Sequence, residues 1–268
     1  MHDAMMGRLT ELRHEPTEKR LRAVLNNHTT VDTTRAVLVW EPRRVVPVYA
    51  VPEEDLRAEL EPAPDGPGSD RAILHPGIPF ATHSTPGASY TFQVGDQIRP
   101  SAAFRVDDAD LAGYVLLDFH AFDKWYEEDE PIVGHPRDPY HRVDVRASSR
   151  QVRVELDGVL LAESTQPTLV FETSLPTRFY LPREDVRDVL EPSPKVTYCA
   201  YKGEASYWWT NARENVAWTY REPLVDAAPL AGLVAFFDEL VDVTVDGQRR
   251  SRPATPIARA VLDEAGIA

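Results

Sequence analysis

The chain contains 268 residues, and 43 acidic against 29 basic side chains give it a net charge of −14 at pH 7. Because this excess repels phosphate backbones and anionic lipid, we expect neither nucleic acid nor a membrane as a partner. Apolar residues make up 43% of the chain, which is enough to build a core and excludes wholesale disorder.

The chain has one cysteine, Cys199, which can form no internal disulfide and cannot supply the C-x-x-C pairs of a structural zinc site. No stretch approaches the ~18 uninterrupted apolar residues of a membrane span, and the first residues do not resemble a signal peptide. We therefore expect a cytoplasmic protein with no structural zinc and no cofactor.

Two parts of the sequence repeat each other. Pro52 to Pro62 reads P-E-E-D-L-R-A-E-L-E-P and Pro182 to Pro192 reads P-R-E-D-V-R-D-V-L-E-P, with seven identities in eleven positions at an offset of 130. Upstream, T-T-R-A-V-L-V-W-E from Thr33 aligns with S-T-Q-P-T-L-V-F-E from Ser164 at an offset of 131. Further matches at offsets of 117 and 119 follow in the same order. These matches predict two copies of one domain, each of about a hundred residues.

The first half of the chain is predicted to begin with a helix at residues 17–26. The shared P-x-E-D segments predict a short helix in each copy, because Pro stands at the first helical position and acids follow in the first turn. Between Pro62 and Pro86 the first copy carries 13 residues more than the second, and their composition is typical of a loop. A second helix is expected near Ala112 and again near Ala231.

The second half contains the strongest hairpin signal, in which Val152, Val154 and Leu156 alternate with polar residues before an Asp157-Gly158 turn. A terminal helix is predicted at 255–265, with Thr255 as its N-cap and Gly266 as its stop. The class is therefore α+β, mainly antiparallel β. Further strands are predicted at 168–173, 177–181, 196–201, 205–210, 215–220 and 240–245.

These elements predict five regions along the chain. Prolines at 131, 136 and 139 indicate an extended linker between the two copies, with a boundary near residue 140. The predicted regions are an N-terminal helical segment at 1–28, the first copy at 29–131, the linker at 132–148, the second copy at 149–247 and a C-terminal helix at 248–268.

Ionisable and aromatic side chains are densest in the second copy, in R-F-Y-L-P-R-E-D from Arg178 and T-Y-C-A-Y-K-G-E-A-S-Y-W-W from Thr197. The first copy has neither Lys nor Glu at the positions of Lys202 and Glu204, so we expect a degenerate site there and a functional site in the second copy. The candidate catalytic residues are Cys199, Lys202 and Glu204. The predicted ligand-binding residues are Arg178, Tyr180, Lys202, Glu204, Ser206, Tyr207 and Trp218.

These motifs resemble the domain-of-unknown-function 427 family, whose members carry a P-R-E-D-V segment, a T-Y-C-x-Y-K-G-E-A-S-Y segment and a W-Y-E-E-D-E segment. The last stands at Trp125 to Glu130, in the first copy, whereas the second copy reads V-D-V-T-V-D-G at that place. The resemblance covers roughly residues 29–247. It implies two tandem β-tent-like domains with short helices and terminal helices.

The candidate catalytic residues leave alternatives open. Cys199 could be a nucleophile or a buried small hydrophobe. All eight histidines precede the second copy, so a histidine base would have to come from the other domain. Lys202 and Glu204 form either a surface ion pair or a cation and a general base addressing one ligand. Their spacing places both on one strand face unless Gly203 forms a bulge, and we expect them to converge with Arg178 at the mouth of a pocket.

A metal site is not expected, because no histidine pair falls in an H-x-x-x-H or H-E-x-x-H pattern. Two hypotheses about function remain. The favoured one is an unidentified small molecule bound in a pocket of the second copy, with or without catalytic turnover. The alternative is a non-catalytic module that binds a protein or peptide and in which the polar cluster is structural.

Overall fold

The computed structural model describes residues 7–187 and 190–264, and it divides into two compact units between Asp138 and Pro139. We call them unit 1 and unit 2. Paired strands in both units run antiparallel, and short helical turns separate some of them. The predicted class, mainly antiparallel β with few short helices, is confirmed.

Unit 1 forms a seven-stranded and a four-stranded sheet. The sheet orders are β1-β4-β5-β9-β8-β7-β6 and β11-β10-β2-β3. The strands are β1 (Arg13–Pro16), β2 (Leu21–Leu25), β3 (His28–Thr33), β4 (Val37–Trp40), β5 (Val48–Pro52), β6 (Glu59–Pro62), β7 (Gly87–Val94), β8 (Gln97–Val106), β9 (Tyr114–Leu117), β10 (Lys124–Glu127) and β11 (Glu130–Ile132).

Unit 2 also forms a seven-stranded and a four-stranded sheet, in the orders β12-β15-β16-β20-β19-β18-β17 and β14-β13-β21-β22. Adding eleven to each strand number of unit 1 reproduces both orders, so the two units have the same strand order. The strands are β12 (Val143–Ala147), β13 (Val152–Leu156), β14 (Val159–Ser164), β15 (Thr168–Glu172), β16 (Arg178–Leu181), β17 (Glu191–Cys199), β18 (Gly203–Thr210), β19 (Arg213–Tyr220), β20 (Val234–Phe236), β21 (Asp242–Val245) and β22 (Gln248–Arg249).

Strand periodicity explains the core of unit 2. Val152, Val154 and Leu156 of β13 are buried while the residues between them are not, and they pack with the buried residues of the seven-stranded sheet. The turn that follows has positive φ at both Asp157 and Gly158, as a type I′ hairpin requires. Burial of each Val or Leu side chain contributes roughly 1.5–3 kcal/mol to stability. A shift of one residue would expose all three, so the alternation also sets the pairing register of β13.

Helix α1 (Pro256–Glu264) is the predicted terminal helix, and Thr255 caps it by accepting a hydrogen bond from the Ala258 N–H at 3.1 Å. The predicted stop at Gly266 lies outside the described residues. One-turn 3₁₀ helices at Glu53–Asp55 and Arg183–Asp185 stand where the shared P-x-E-D segments predicted short helices. Other 3₁₀ turns lie at Ala109–Leu111, Phe119–Ala121 and Val225–Leu230.

Two helix predictions were wrong. Residues 21–25 of the expected N-terminal helix are strand β2, because Leu21, Ala23 and Leu25 are buried with a period of two. No helix begins at Ala112 or Ala231, because the next residue in each case is a glycine at positive φ, after which β9 and β20 begin. Within the segment 1–28, residues 13–16 and 21–25 thus belong to the sheets of unit 1 as β1 and β2. Residues 1–6 lie outside the described part of the chain.

Candidate functional site

A lysine and a histidine side chain of unit 2 meet on one carboxylate. Lys202 Nζ donates to both carboxylate oxygens of Glu172 at 2.5 Å, and His141 Nε2 lies 2.9 Å from Glu172 Oε1. The side chains of Glu172, Lys202 and His141 are 7%, 8% and 21% exposed. We call these three residues the Glu172 cluster; its carboxylate is buried and its imidazole lies nearer the surface.

A tight hairpin turns Lys202 inward. Cys199 ends β17 and pairs with Gly203, the first residue of β18, so that three residues form the turn between them. Gly203 has a φ of +90°, a conformation that only glycine adopts readily. The Lys202 carbonyl accepts a hydrogen bond from the Leu224 N–H at 3.1 Å, which fixes the turn. Lys202 therefore leaves the strand geometry that its neighbours follow, and its side chain is buried.

Burial and pairing shift the pKa values of the cluster in opposite senses. Burial alone would raise the pKa of Glu172, but Lys202 and His141 lower it to about 2. Burial opposes the charge of Lys202, but Cys199 and Glu172 favour it, and the pKa of Lys202 is raised. Burial also raises the pKa of Tyr180 and of Tyr220. At neutral pH the ion pair is therefore charged and both tyrosines are neutral.

The ionised carboxylate determines which ring nitrogen of His141 carries the proton. Because Glu172 can only accept, His141 must donate from Nε2, which leaves the Nδ1 lone pair as a hydrogen-bond or proton acceptor when the ring is neutral. The ring of His141 stacks on Tyr201 with centroids 4.4 Å apart and an interplanar angle of 21°. Imidazole position and tautomer are thus both held, as they are in catalytic and ligand-binding histidines.

Arg178 makes a separate ion pair. Its two terminal nitrogens donate to the carboxylate oxygens of Glu239 at 2.8 and 2.7 Å, and Asp238 lies 3.6 Å away. Arg178 also lies over the Trp218 ring at 5.6 Å. Burial, opposed by Arg178, raises the pKa of Asp238 to about 6. The predicted third member of a Lys202 site is therefore engaged elsewhere.

The predicted aromatic residues form one row across the sheet. Tyr180 pairs with Ala235, Ala235 with Trp218 and Trp218 with Tyr207, so all four side chains share one face. Trp218 Nε1 donates to the Tyr180 hydroxyl at 3.0 Å across the small Ala235. Tyr180, Trp218 and Tyr207 are buried in the core, and Tyr180 is close enough to Lys202 for each to affect the other's pKa.

Two predicted residues lie apart from the cluster. Glu204 is exposed and accepts a hydrogen bond from the Tyr198 hydroxyl at 3.0 Å. Ser206 is half-buried on the face opposite Tyr207, as its neighbouring position on β18 requires. The expectation that Lys202 and Glu204 converge was wrong, because the positive φ of Gly203 separates a buried lysine from an exposed glutamate.

Cys199 is a free, half-buried thiol that packs against the core of unit 2 and affects the pKa of Lys202 and Tyr220. The expectation that a histidine base must come from the other domain was also wrong. His141 lies in unit 2, two residues after its first residue, Pro139.

Sequence reasoning missed Glu172 and placed His141 in a linker. One signal was available for Glu172, because the alignment of Thr33 with Ser164 ends on Glu41 and Glu172. A glutamate that closes an apolar strand in both halves is a candidate for a shared buried carboxylate. For His141 the three nearby prolines favoured a linker, and no local pattern connects it with residue 172.

A surface cavity of about 270 Å³ lies at the far end of β18 and β19 from Lys202. Its lining includes Trp209, whose Nε1 has no hydrogen-bond partner among the described residues. Within residues 7–187 and 190–264, no three His, Cys, Asp or Glu side chains are grouped to hold a metal ion. In the same part of the chain, no helix has the length and apolar character needed to cross a membrane.

Fold and cluster together define a two-unit antiparallel β protein with a buried, histidine-linked ion pair in unit 2. Residues 144–247 match the family described as a domain of unknown function, DUF427. The matched segment contains Glu172, Cys199 and Lys202, and His141 lies three residues before it. Unit 1 lies outside the match. A search of curated proteins found no similar sequence.

Proposed function

We propose that unit 2 binds a small molecule at the Glu172 cluster. The observation that carries this proposal is one buried carboxylate that holds both a lysine and a histidine, with Cys199 and Tyr180 beside the lysine. Perturbed ionisable groups that combine burial with a specific charge partner concentrate at functional sites.

Stability alone is a weak reason for such a cluster. Removing two charges from water costs several kcal/mol per ion, and well-packed apolar residues of similar volume are often equally stable or more stable. Unit 2 nevertheless keeps Lys202 and Glu172 buried inside a core that is otherwise rich in aromatic side chains. Binding of a ligand by the cluster would explain why these buried charges are present.

We also propose that the two units are tandem copies of one domain and that only unit 2 holds an open site. The identical strand orders and the aligned segments at offsets of 130 and 131 support this proposal. A single, half-buried cysteine suits a reducing compartment such as the cytoplasm. Any reaction on the bound molecule would use Cys199, which precedes the turn, and Lys202, which is its last residue.

Native mass spectrometry of the chain purified from its own cells tests the proposal. We expect a small molecule that remains bound under native conditions and leaves on denaturation. Glu172→Gln should lose it, and the exposed Glu204→Gln should retain it as the matched control. A chain that carries no small molecule but copurifies with a protein in stoichiometric amount would contradict the proposal and favour the interaction module.

A further inference from the structure

Each unit places an imidazole ring on the corresponding glutamate. Glu41 follows β4 as Glu172 ends β15, at the offset of 131. His83 Nδ1 lies 3.0 Å from Glu41 Oε1, and the ring stacks on Phe104 with centroids 3.5 Å apart at 9°. His141 makes the same two contacts in unit 2, with Glu172 and Tyr201. A flat ring that offers an N–H to the carboxylate and a face to an aromatic side chain is therefore present twice.

The two histidines come from different parts of the fold. His83 lies in the connection between β6 and β7, whereas His141 lies just before β12. The strand that corresponds to β12 in unit 1 is β1, so the two histidines are not equivalent in the repeat. Two segments that do not correspond to each other thus deliver an imidazole ring to corresponding carboxylates, which indicates that the space beside this glutamate suits a flat N–H ring.

The His141 ring can leave its glutamate more easily than the His83 ring, because it is more exposed. His83 is 8% exposed, while His141 is 21% exposed. The backbone next to His141 is held, because Arg142 and Thr173 exchange main-chain and hydroxyl hydrogen bonds at 2.8 and 3.0 Å. Rotation of the His141 side chain alone would therefore free the Glu172 carboxylate and the face of Tyr201.

Charge restricts what can replace the ring. Lys202 already balances Glu172, so a second buried cation would leave an uncompensated positive charge and an anion would meet the carboxylate. A neutral donor satisfies the freed lone pair without adding charge. We infer that the molecule bound by unit 2 carries a flat, neutral heteroaromatic ring whose N–H replaces that of His141 on Glu172. This inference rests on the proposed function, since it names the ligand class of the same site.

We call the space that the His141 ring occupies against Glu172 and Tyr201 the ring slot. Chemical rescue of the full-length His141→Ala variant tests it. Imidazole and 1-methylimidazole are both neutral at about pH 9, but only imidazole can donate an N–H. At a concentration about tenfold above its Kd, imidazole should raise the melting temperature of His141→Ala by about 3–5 °C. 1-Methylimidazole should raise it by much less, and the wild-type chain should respond weakly to both probes.

Two further variants and one measurement complete the test. His141→Phe fills the slot without an N–H and should not respond to imidazole, and the exposed His120→Ala should behave as wild type. In the wild-type chain, imidazole should shift the NMR signals of Tyr201 and His141, which tests the slot even if His141→Ala does not fold. Equal effects of the two probes, or no effect of either, would overturn the inference.

The inference and the proposed function can fail separately. If native mass spectrometry finds a bound molecule that lacks an N–H heteroaromatic ring, the ring assignment is wrong and binding by unit 2 stands. If imidazole rescues His141→Ala but no molecule is retained, the slot stands and the proposed function is wrong.

Discussion

The two units surround corresponding buried glutamates with different partners. In unit 1, Glu41 is fully buried and its partners are Arg44, His83 and Ser84; we call Glu41, Arg44 and His83 the Glu41 cluster. In unit 2, the Glu172 side chain is 7% exposed and one of its partners, His141, reaches the surface. Both units have a buried carboxylate at this position, but only the cluster of unit 2 reaches solvent, through His141.

The insertion of unit 1 accounts for the difference. Arg44 donates to the carbonyl oxygens of Pro79, Phe80 and Thr82, all of which lie in the longer connection between β6 and β7. The Ser84 N–H donates to Glu41 at 2.9 Å. Burial alone would raise the pKa of Glu41, but His83, Ser84 and Arg44 lower it. The long loop thus supplies two partners of Glu41, His83 and Ser84, and its carbonyl oxygens hold the third, Arg44.

The seven-stranded sheets beside the two clusters also differ. In unit 2 the row beside the cluster is Tyr180, Ala235, Trp218 and Tyr207. The corresponding row of unit 1 is Ala50, Leu116, Phe104 and Ser89. Ala50 and Ser89 are smaller than Tyr180 and Tyr207 at the corresponding positions, and in this unit His83 stacks on Phe104. In unit 1 a ring from its own loop, His83, therefore lies on this row, whereas in unit 2 the row carries Tyr180, Trp218 and Tyr207.

The largest effect is expected in the sealed unit. Arg44→Met would leave Glu41 buried without its guanidinium and would free three carbonyl oxygens, so we expect a loss of about 3–5 kcal/mol in unfolding free energy. Scanning calorimetry measures it, with the exposed Lys124→Met as the control, expected within about 0.5 kcal/mol of wild type. A loss below about 1 kcal/mol would show that the two clusters are not comparable.

Glu172→Gln should destabilise unit 2 by roughly 2–4 kcal/mol at pH 7, because it leaves Lys202 charged and buried without a counterion. The folded pKa of Glu172, about 2, lies below its ordinary value of 4.5. The stability that it contributes is therefore present above about pH 4.5 and is lost as the pH falls towards 2. Denaturant unfolding of the wild type and of Glu172→Gln from pH 7 to 2 should show that the difference in their unfolding free energies shrinks. A difference that stays constant with pH would contradict the assignment.

Asp238→Asn should stabilise the chain. Burial raises the folded pKa of Asp238 from 3.8 to about 6, so its ionised form is disfavoured in the fold. Wild-type stability then falls as the pH rises through this window, and the whole penalty is present above about pH 6. We expect the variant to gain about 1–3 kcal/mol at pH 8 and almost nothing at pH 4. A variant that is less stable at pH 8 would show that Asp238 is needed as a charged partner of Arg178.

Glu204→Gln should have the smallest effect. Its exposed carboxylate bonds only to the hydroxyl of an exposed tyrosine in the described contacts, so unfolding free energy should change by no more than about 0.5 kcal/mol. Thermal melting checks this expectation against Glu172→Gln. Loss of several degrees on Glu204→Gln would mean that the division between an inner lysine and an outer glutamate is incorrect.

The sequence by itself predicts the strands and the hairpin turns well. Residues 168–172, 178–181 and 205–210 are strands where strands were expected, because β-branched and aromatic side chains between turn residues are a local signal. The turn that contains Lys202, however, was not predicted, since Lys202 and Glu204 were expected on one strand face. The helix predictions near Ala112 and Ala231 failed because a single glycine at positive φ in each unit redirects the chain into a central strand.

Only the tertiary structure decides the contents of the site. Glu172 lies 31 residues from His141 and 30 from Lys202, and the sheet order of unit 2 brings all three together. The sequence places Lys202 next to Glu204, but the backbone at Gly203 sends one side chain inward and leaves the other in solvent. Local propensity determines which residues form strands; which ionisable groups share a carboxylate depends on long-range pairing, and that has no local signature.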